Sequence, residues 1–145
     1  MPAEGEPTVD LVELDHEQCL ALLAGTDLGR VAVNMPGWPP LIRPVHYLFD
    51  EGSQSIVFRC ARGSKLRALA RAARAAFEVD GEEGGGGGGW SVIVIGPVEE
   101  VAGATEVARL ERSGLRPGLA DAQAQWMRIR VTAISGRRIR REAGA

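Results

Sequence analysis

The stretch GRVAVNMPGWPPLIRPVHYLFDEGSQSIVFR, residues 29–59, decides the fold class. It contains three extended runs rich in β-branched and aromatic residues, and the first of them alternates as a half-buried strand does. A proline- and glycine-rich segment and a short polar segment separate the runs, as turns do. The runs cover residues 29–34, 41–49 and 55–59. This pattern predicts three consecutive antiparallel strands.

Three further strands and three short helices are predicted outside this stretch. Asp15 with Gln18 forms a capping-box pattern, and runs of strong helix formers indicate the other two helices. The helices cover residues 16–24, 64 to 72 or 73, and 104–113; the strands cover 75–80, 90–101 and 126–134. We therefore expect a mainly β, α+β fold in which six antiparallel strands curl into a barrel with helices at its rim.

The chain is expected to form one domain spanning residues 1–145. Its 145 residues are 45% apolar and 25% charged, which is typical of one globular domain with a real core. No linker divides it. We expect residues 1–12 to be flexible and residues 140–145 to form a tail. Residues 81–89 contain six consecutive glycines, and we expect a mobile loop there because glycine backbone loses the most entropy on ordering.

The cysteines and the N-terminus predict a cytoplasmic protein. Cys19 and Cys60 allow no disulfide framework, and the N-terminal residues lack the basic-then-apolar pattern of a signal peptide. The longest apolar run, 91–98, is far shorter than the roughly 20 residues that span a bilayer. We expect no contact with membranes.

Charge is distributed unevenly along the chain. The net charge of −2 does not favour a general nucleic-acid binder. Residues 1–17 hold six acids and no basic residue, whereas residues 128–141 hold six arginines and no acid, so the two ends are expected to attract each other. A nucleic-acid or protein-interaction role for the arginine-rich end is an outside alternative, since no recognised nucleic-acid motif accompanies it.

The segment FRCARGSKL, residues 58–66, carries the most chemistry. It brings two guanidiniums, a glycine, a hydroxyl and the only lysine of the chain to a predicted helix start, where an anion is favoured. This is a composition suited to phosphate. The alternative is that Arg59 and Arg62 are solvated edge residues, Ser64 an N-cap and Lys65 a surface residue; the residues alone leave both open.

This segment and five others, taken in order, resemble the pyridoxamine 5′-phosphate oxidase-like family of FMN-binding split barrels. The resemblance extends from Leu14 to Ile139, at the right spacing. It implies a six-stranded antiparallel split barrel. The other segments are LGRVAV at 28–33, PVHY at 44–47, AFEVD at 76–80, GWSV at 89–92 and ISGRRI at 134–139.

The resemblance also implies a cofactor, a partner and a set of binding residues. Such proteins form homodimers that hold two FMN molecules in grooves between the subunits. The implied phosphate-binding residues are Arg59, Ser64 and Lys65, with Arg62 as a fourth. Pro44, Val45, His46 and Tyr47 are expected along the isoalloxazine ring, mainly through backbone groups, and Trp90, Ser91, Trp126 and Arg137 are expected from the partner subunit.

Departures from the family pattern leave the reaction open. His46 stands where relatives often carry a small amide, and the glycine run replaces a short acidic loop. The vitamin-B6 oxidase uses an Arg-x-His pattern near its C-terminus, and this chain has no histidine after His46. Its two histidines make neither a metal site nor a known catalytic motif, so catalytic residues stay unknown. We expect a flavin-dependent oxidoreductase acting on an unidentified small molecule; the alternatives are an oxidoreductase using the deazaflavin F420 and a flavin-binding or sensing module without turnover.

Overall fold

The computed structural model describes residues 8–61, 63–70, 74–84, 87–115 and 124–142. Eight strands and three helices occur in this part of the chain. In chain order they are β1 (Thr8–Glu13), α1 (His16–Ala24), β2 (Leu28–Val33), β3 (Leu41–Asp50), β4 (Ser55–Cys60), α2 (Lys65–Ala70), β5 (Arg74–Glu83), β6 (Gly88–Glu100), α3 (Ala104–Glu111), β7 (Gln125–Arg130) and β8 (Ala133–Glu142).

Six of these strands close a barrel. They are hydrogen-bonded in the order β6-β5-β2-β3-β4-β7, and β7 pairs back onto β6. Every pairing is antiparallel. Residues 41–46 of β3 pair with β2, whereas residues 47–50 pair with β4, so the barrel is split along this strand. The predicted mainly β split-barrel fold with short helices is confirmed, and these six strands correspond to the six predicted ones.

The barrel interior is an apolar core to which every barrel strand contributes. Phe58 and Phe77 are fully buried at its centre, and each such side chain contributes roughly 1.5–3 kcal/mol. Gly29 on β2 faces the Phe77 ring, and a Cβ there would overlap that ring. The glycine therefore lets β2 and β5 pack around a large aromatic side chain.

Helix α1 covers one end of the core through Cys19 and Leu23. Its predicted capping box is present: Asp15 Oδ1 accepts from the Gln18 amide at 2.8 Å, and Gln18 Oε1 accepts from the Asp15 amide at 2.9 Å. Helix α3 ends at Glu111, two residues before the expected end. Helix α2 is described over six residues, and its predicted end at 72 or 73 lies outside the described residues.

Strands β1 and β8 extend the sheet beyond the barrel, and neither was predicted as a separate strand. β8 pairs with β6, and β1 pairs with β8, placing Asp10 opposite Arg140 and Glu13 opposite Arg137. The expected attraction between the acidic and basic ends thus takes the form of strand pairing. Residues 8–12 and 140–142 lie in strands, and the flexibility expected for residues 1–12 stays a prediction. The predicted strand 126–134 is two strands, because the chain turns at 131–132.

The glycine run forms a β-hairpin whose strands reach further than predicted. β5 extends to Glu83 and pairs with Gly88 at the start of β6, so residues 81–83 and 88–89 are not loop. Gly84 and Gly87 have positive φ of 66° and 78°, which glycine adopts without strain. Gly89 also pairs with Ile139 of β8, and these ladder bonds offset the entropy cost that led to the loop prediction. Gly85 and Gly86 lie outside the described residues.

No helix among the described residues is long and apolar enough to cross a membrane.

Candidate functional site

Arg59 lies near the end of β4, directly opposite Trp126 of β7. Its guanidinium carbon stands 4.9 Å from the centre of the Trp126 ring, a distance at which a cation is attracted to the ring face. Arg59 Nη2 also donates a hydrogen bond to the carbonyl oxygen of Ala124 at 3.2 Å. Two contacts from the same neighbouring chain segment thus fix this guanidinium.

Two buried N–H groups in this region have no hydrogen-bond partner among the described residues. They are Arg59 Nε and the indole Nε1 of Trp126. A buried donor without a partner costs roughly 1–3 kcal/mol, so such groups call for an explanation. An anionic ligand at the Nη edge of the half-buried Arg59 guanidinium would supply the negative charge that this group lacks among the described residues.

Ser64 and Lys65 follow Arg59 at the start of α2. The Ser64 hydroxyl accepts from the Arg67 amide at 3.2 Å, so Ser64 is the N-cap that the alternative interpretation expected. Lys65 is exposed and opens the helix. Six helical residues give only a weak dipole, and the case for an anion here rests on the cationic side chains. Arg62 lies outside the described residues.

Cys60 is buried between these residues and the core. Burial raises the pKa of its thiol to about 11, while Arg67 and a hydrogen bond with Ser64 act in the opposite direction. The thiol is therefore protonated at neutral pH and has little nucleophilic character.

The predicted ring-contacting residues of β3 fall into two kinds. Pro44 and His46 are exposed, and Val45 is half-buried. Tyr47 is buried: its hydroxyl donates to the Leu23 carbonyl at 2.6 Å, and its ring packs edge-on against Phe77 at 4.7 Å. Burial raises the pKa of Tyr47. Its side chain belongs to the core, which leaves only its backbone for a ligand, as the resemblance implied.

Trp90, Ser91 and Arg137 come together at an open groove of about 530 Å³ on β5, β6 and β8. Ser91 pairs with Asp80 on one side and Arg137 on the other. The Trp90 indole lies across Gly81, where a Cβ would come within 2.8 Å of it. Trp126 is not part of this groove, because it is buried beside Arg59. The contact of these four residues with a flavin from the partner subunit stays a prediction.

The outward face of the sheet carries an unusual number of exposed apolar side chains. One row of the register crosses five strands and is entirely apolar: Ile42, Ala32, Ala76, Ile95 and Ala133. Seven of the nine large exposed apolar residues in the described part of the chain lie on this face, each between 40% and 60% exposed. They are Val9, Leu11, Leu28, Ile42, Ile93, Ile95 and Ile139.

A network of ion pairs attaches α3 to the barrel, and the sequence analysis did not identify it. Arg109 contacts both oxygens of buried Asp50, at 3.0 and 2.8 Å, and also Glu106. Arg128 of β7 donates to Glu106 at 2.9 Å. The Arg109 hydrogen bonds are the main reason that the pKa of Asp50 falls to about 2. Only the Glu106–Arg109 spacing was visible as a helical pair in the sequence.

The described residues contain no group of three or more His, Cys, Asp or Glu side chains that could hold a metal.

Comparison with known proteins identifies the family. The family model described as pyridoxamine 5′-phosphate oxidase matches residues 15–138. An uncharacterised protein of Mycobacterium tuberculosis is 32% identical over 135 residues, which cover 90% of this chain and 86% of that protein. The structure of an FAD binding protein from Mycobacterium smegmatis is 32% identical and superposes with a TM-score of 0.78, covering 89% of this chain and 98% of that one.

A Corynebacterium glutamicum structure, described as a candidate pyridoxamine 5′-phosphate oxidase, is 30% identical with a TM-score of 0.74. It matches 88% of this chain and 92% of its own. The match of the family model to residues 15–138 covers the six barrel strands, α1 and the segment 58–66. The chain belongs to the pyridoxamine 5′-phosphate oxidase family and has its FMN-binding split-barrel fold.

Proposed function

We propose that this protein binds a flavin through its phosphate at Arg59, Ser64 and Lys65, with Arg62 as a further ligand, and acts as a flavin-dependent oxidoreductase on a small molecule. One observation carries the proposal. The Arg59 guanidinium is held at the strand end by Trp126 and Ala124, its Nη1 donates to no described residue, and the same segment carries the only lysine of the chain. A phosphate oxygen fits that donor, and its negative charge fits these side chains.

The proposed cofactor is FMN, and FAD is the second candidate because the relative from M. smegmatis is an FAD binding protein. Both flavins present a phosphate next to the ribityl chain, so Arg59 and Lys65 would serve either. The backbone of residues 44–47 would lie along the flavin ring. The ring itself supplies the redox chemistry when bound, and the chain's residues bind it, orient it and set its surroundings.

We further propose that the protein is a homodimer formed through the outward sheet face. Soluble monomers rarely expose a large contiguous apolar patch, and the apolar row from Ile42 to Ala133 crosses five strands. Arg30 bonds Glu78 and Asp80 beside this row, at 3.3 and 3.4 Å. Mixed charge of this kind suits a two-fold interface, in which a patch must complement itself.

In such a dimer the groove at Trp90, Ser91 and Arg137 would face the partner, which is how these residues would complete a flavin site begun by Arg59. The substitution Ile95→Glu places a charge in the interface twice, by symmetry, and should convert the dimer to monomer in light scattering. Trp38→Glu, at an exposed apolar residue outside this face, is the matched control. A dimer that survives Ile95→Glu would refute this interface.

The experiment that tests the function is the absorption spectrum of the purified protein followed by titration with FMN, FAD and the deazaflavin F420. Saturable binding of FMN or FAD supports the proposal, and selective binding of F420 favours the deazaflavin alternative. Reduction of the bound flavin by a nicotinamide donor, with reoxidation by an added acceptor, separates an oxidoreductase from a sensing module. The absence of binding to all three would overturn the assignment.

We further propose that the protein works in the cytoplasm. The two cysteines, Cys19 and Cys60, are free, which fits a reducing compartment.

A further inference from the structure

We propose that Trp126 is a positioning residue, which holds the Arg59 guanidinium in place for the ligand phosphate without itself touching the flavin. The inference rests on the proposed function, since it assumes that Arg59 meets a phosphate. It changes the role that the resemblance implied for Trp126, which was direct contact with the cofactor.

The burial of Trp126 argues against direct stacking on a ligand. Its side chain is only 2% exposed and packs in a small apolar cluster under α3. The other buried members of that cluster are Val57, Val101 and Leu110. A flavin ring could reach the indole only if this cluster opened.

The contact between Trp126 and Arg59 gives the indole a different use. The two residues are register partners on β7 and β4, and the guanidinium carbon lies 4.9 Å from the ring centre. An arginine side chain has many rotamers, and fixing one of them before the ligand arrives lowers the entropy cost of binding. The ring and the Ala124 carbonyl, which accepts from Nη2 at 3.2 Å, together restrict this side chain.

The restricted guanidinium still has a donor to offer. Nη2 donates to Ala124, whereas Nη1 makes no hydrogen bond to a described residue. Nε is buried and also has no partner among the described residues. Arg59 also has no carboxylate partner among the described residues, so its charge is not neutralised by the protein there. Trp126 thus holds a half-buried cation whose Nη1 edge makes no hydrogen bond to a described residue and can donate to an anion.

The test compares FMN with riboflavin, which has the same ring and no phosphate. Trp126→Leu removes the aromatic face and should weaken FMN binding about three- to tenfold, while riboflavin binding stays unchanged. Trp126→Phe keeps an aromatic face and should restore most of the FMN affinity. In an Arg59→Met background, Trp126→Leu should have no further effect on FMN. Trp38→Leu, at the exposed Trp38, controls for loss of a tryptophan elsewhere.

Each other outcome overturns the inference. Equal losses for FMN and riboflavin in Trp126→Leu would mean that the ring contacts the flavin or supports the fold. An FMN loss in Trp126→Phe as large as in Trp126→Leu would mean that the indole N–H is itself the ligand's donor. Failure of the proposed function looks different, because then the unaltered protein binds neither compound, or Arg59→Met leaves FMN affinity unchanged. Thermal unfolding of each variant identifies those that fail to fold.

Discussion

Arg109 and Arg59 each connect two elements of the fold, but the groups around them differ. Arg109 connects α3 to Asp50 of β3, and Arg59 of β4 contacts Trp126 of β7. Arg109 is shared by two carboxylates, Asp50 and Glu106, and Arg128 adds a second cation to the same group. Arg59 contacts a carbonyl oxygen and an aromatic ring, and no carboxylate among the described residues. A half-buried cation that the protein leaves without a counter-charge is the one that a ligand can neutralise.

The same contrast holds for other arginines whose partners the structure describes. Arg67 pairs with Glu100 at 2.9 Å, Arg138 with Glu83 at 2.9 Å, and Arg130 with Glu99. Three of the six arginines in residues 128–141 are therefore paired with acids from β5, β6 and α3. This matching leaves less free positive charge for a nucleic-acid interface than the sequence of residues 128–141 suggests.

The largest expected change in FMN affinity comes from removing Arg59 and Lys65, the two cations of segment 58–66 that have no acidic partner among the described residues. Arg59→Ala combined with Lys65→Ala should weaken FMN binding at least ten- to hundredfold, because each charge-assisted bond to phosphate contributes roughly 1.5–3 kcal/mol. The unfolding temperature should fall only modestly, because neither side chain forms an ion pair among the described residues and Arg59 loses only its contacts with the Trp126 ring and the Ala124 carbonyl. Isothermal titration and thermal unfolding measure the two effects.

Arg112→Ala with Arg140→Ala is the control matched in charge, because it also removes two positive charges, from exposed arginines outside the proposed site. An equal loss of FMN affinity in that control would show that overall positive charge, and not this pair, holds the phosphate. Unchanged FMN affinity in the Arg59 and Lys65 double variant would refute the proposal that these two residues bind the flavin phosphate.

Disrupting the ion-pair network of Arg109 should lower stability and leave flavin affinity intact, which is the opposite of the result expected for Arg59 and Lys65. Asp50→Asn removes the carboxylate charge that Arg109 grips with two hydrogen bonds, and should lower the free energy of unfolding by about 1–2 kcal/mol. Flavin affinity should be nearly unchanged. Urea unfolding and FMN titration of the same variant measure both.

The network also predicts a pH dependence. The pKa of Asp50 falls from its ordinary 3.8 to about 2 in the folded protein, so its contribution to stability is fully present above about pH 4. This contribution is lost as the pH drops toward 2. Asp50→Asn should therefore lack that part of the acid-induced loss. Identical slopes of stability against pH in both proteins would contradict the role of this pair.

Much of the fold could be predicted because its signals are local. The alternating run at 29–34, the turn at 35–40 and the capping box at Asp15 each fix one element from a few neighbouring residues. β1 and β8 escaped prediction because their strand character depends on each other: Asp10 and Glu13 face arginines more than 120 residues away along the chain. Pairing at that distance is tertiary information that no local pattern contains.

The candidate site could likewise be predicted only where its residues are neighbours in the sequence. The segment from Arg59 to Lys65 is continuous in sequence, so its chemistry was visible at once. The contact between Arg59 and Trp126 arises only from the pairing of β4 with β7, and the α3 network likewise joins Asp50 to a residue 59 positions later. Sequence reasoning therefore found the charged groups and missed what holds them.

The smallest expected change in FMN affinity comes from altering residues 84–87, between β5 and β6. These residues are distant in sequence from both Arg59 and Arg109. The ladder between β5 and β6 ends at Glu83 and Gly88, so replacing 84–87 with an Asn-Gly turn keeps every strand pair of this ladder. FMN affinity should then stay within about threefold of the parent, because the charged contacts of Arg59 are untouched.

Gly89→Val is the variant to compare with the shortened tip. A Cβ at Gly89 would come within 2.8 Å of the Gly81 carbonyl oxygen. That change should disturb the groove beneath Trp90 and weaken FMN binding more than the shortened tip does. If the shortened tip loses FMN while Gly89→Val keeps it, backbone groups of the glycine run bind the cofactor, and Arg59 and Lys65 are not the dominant contacts.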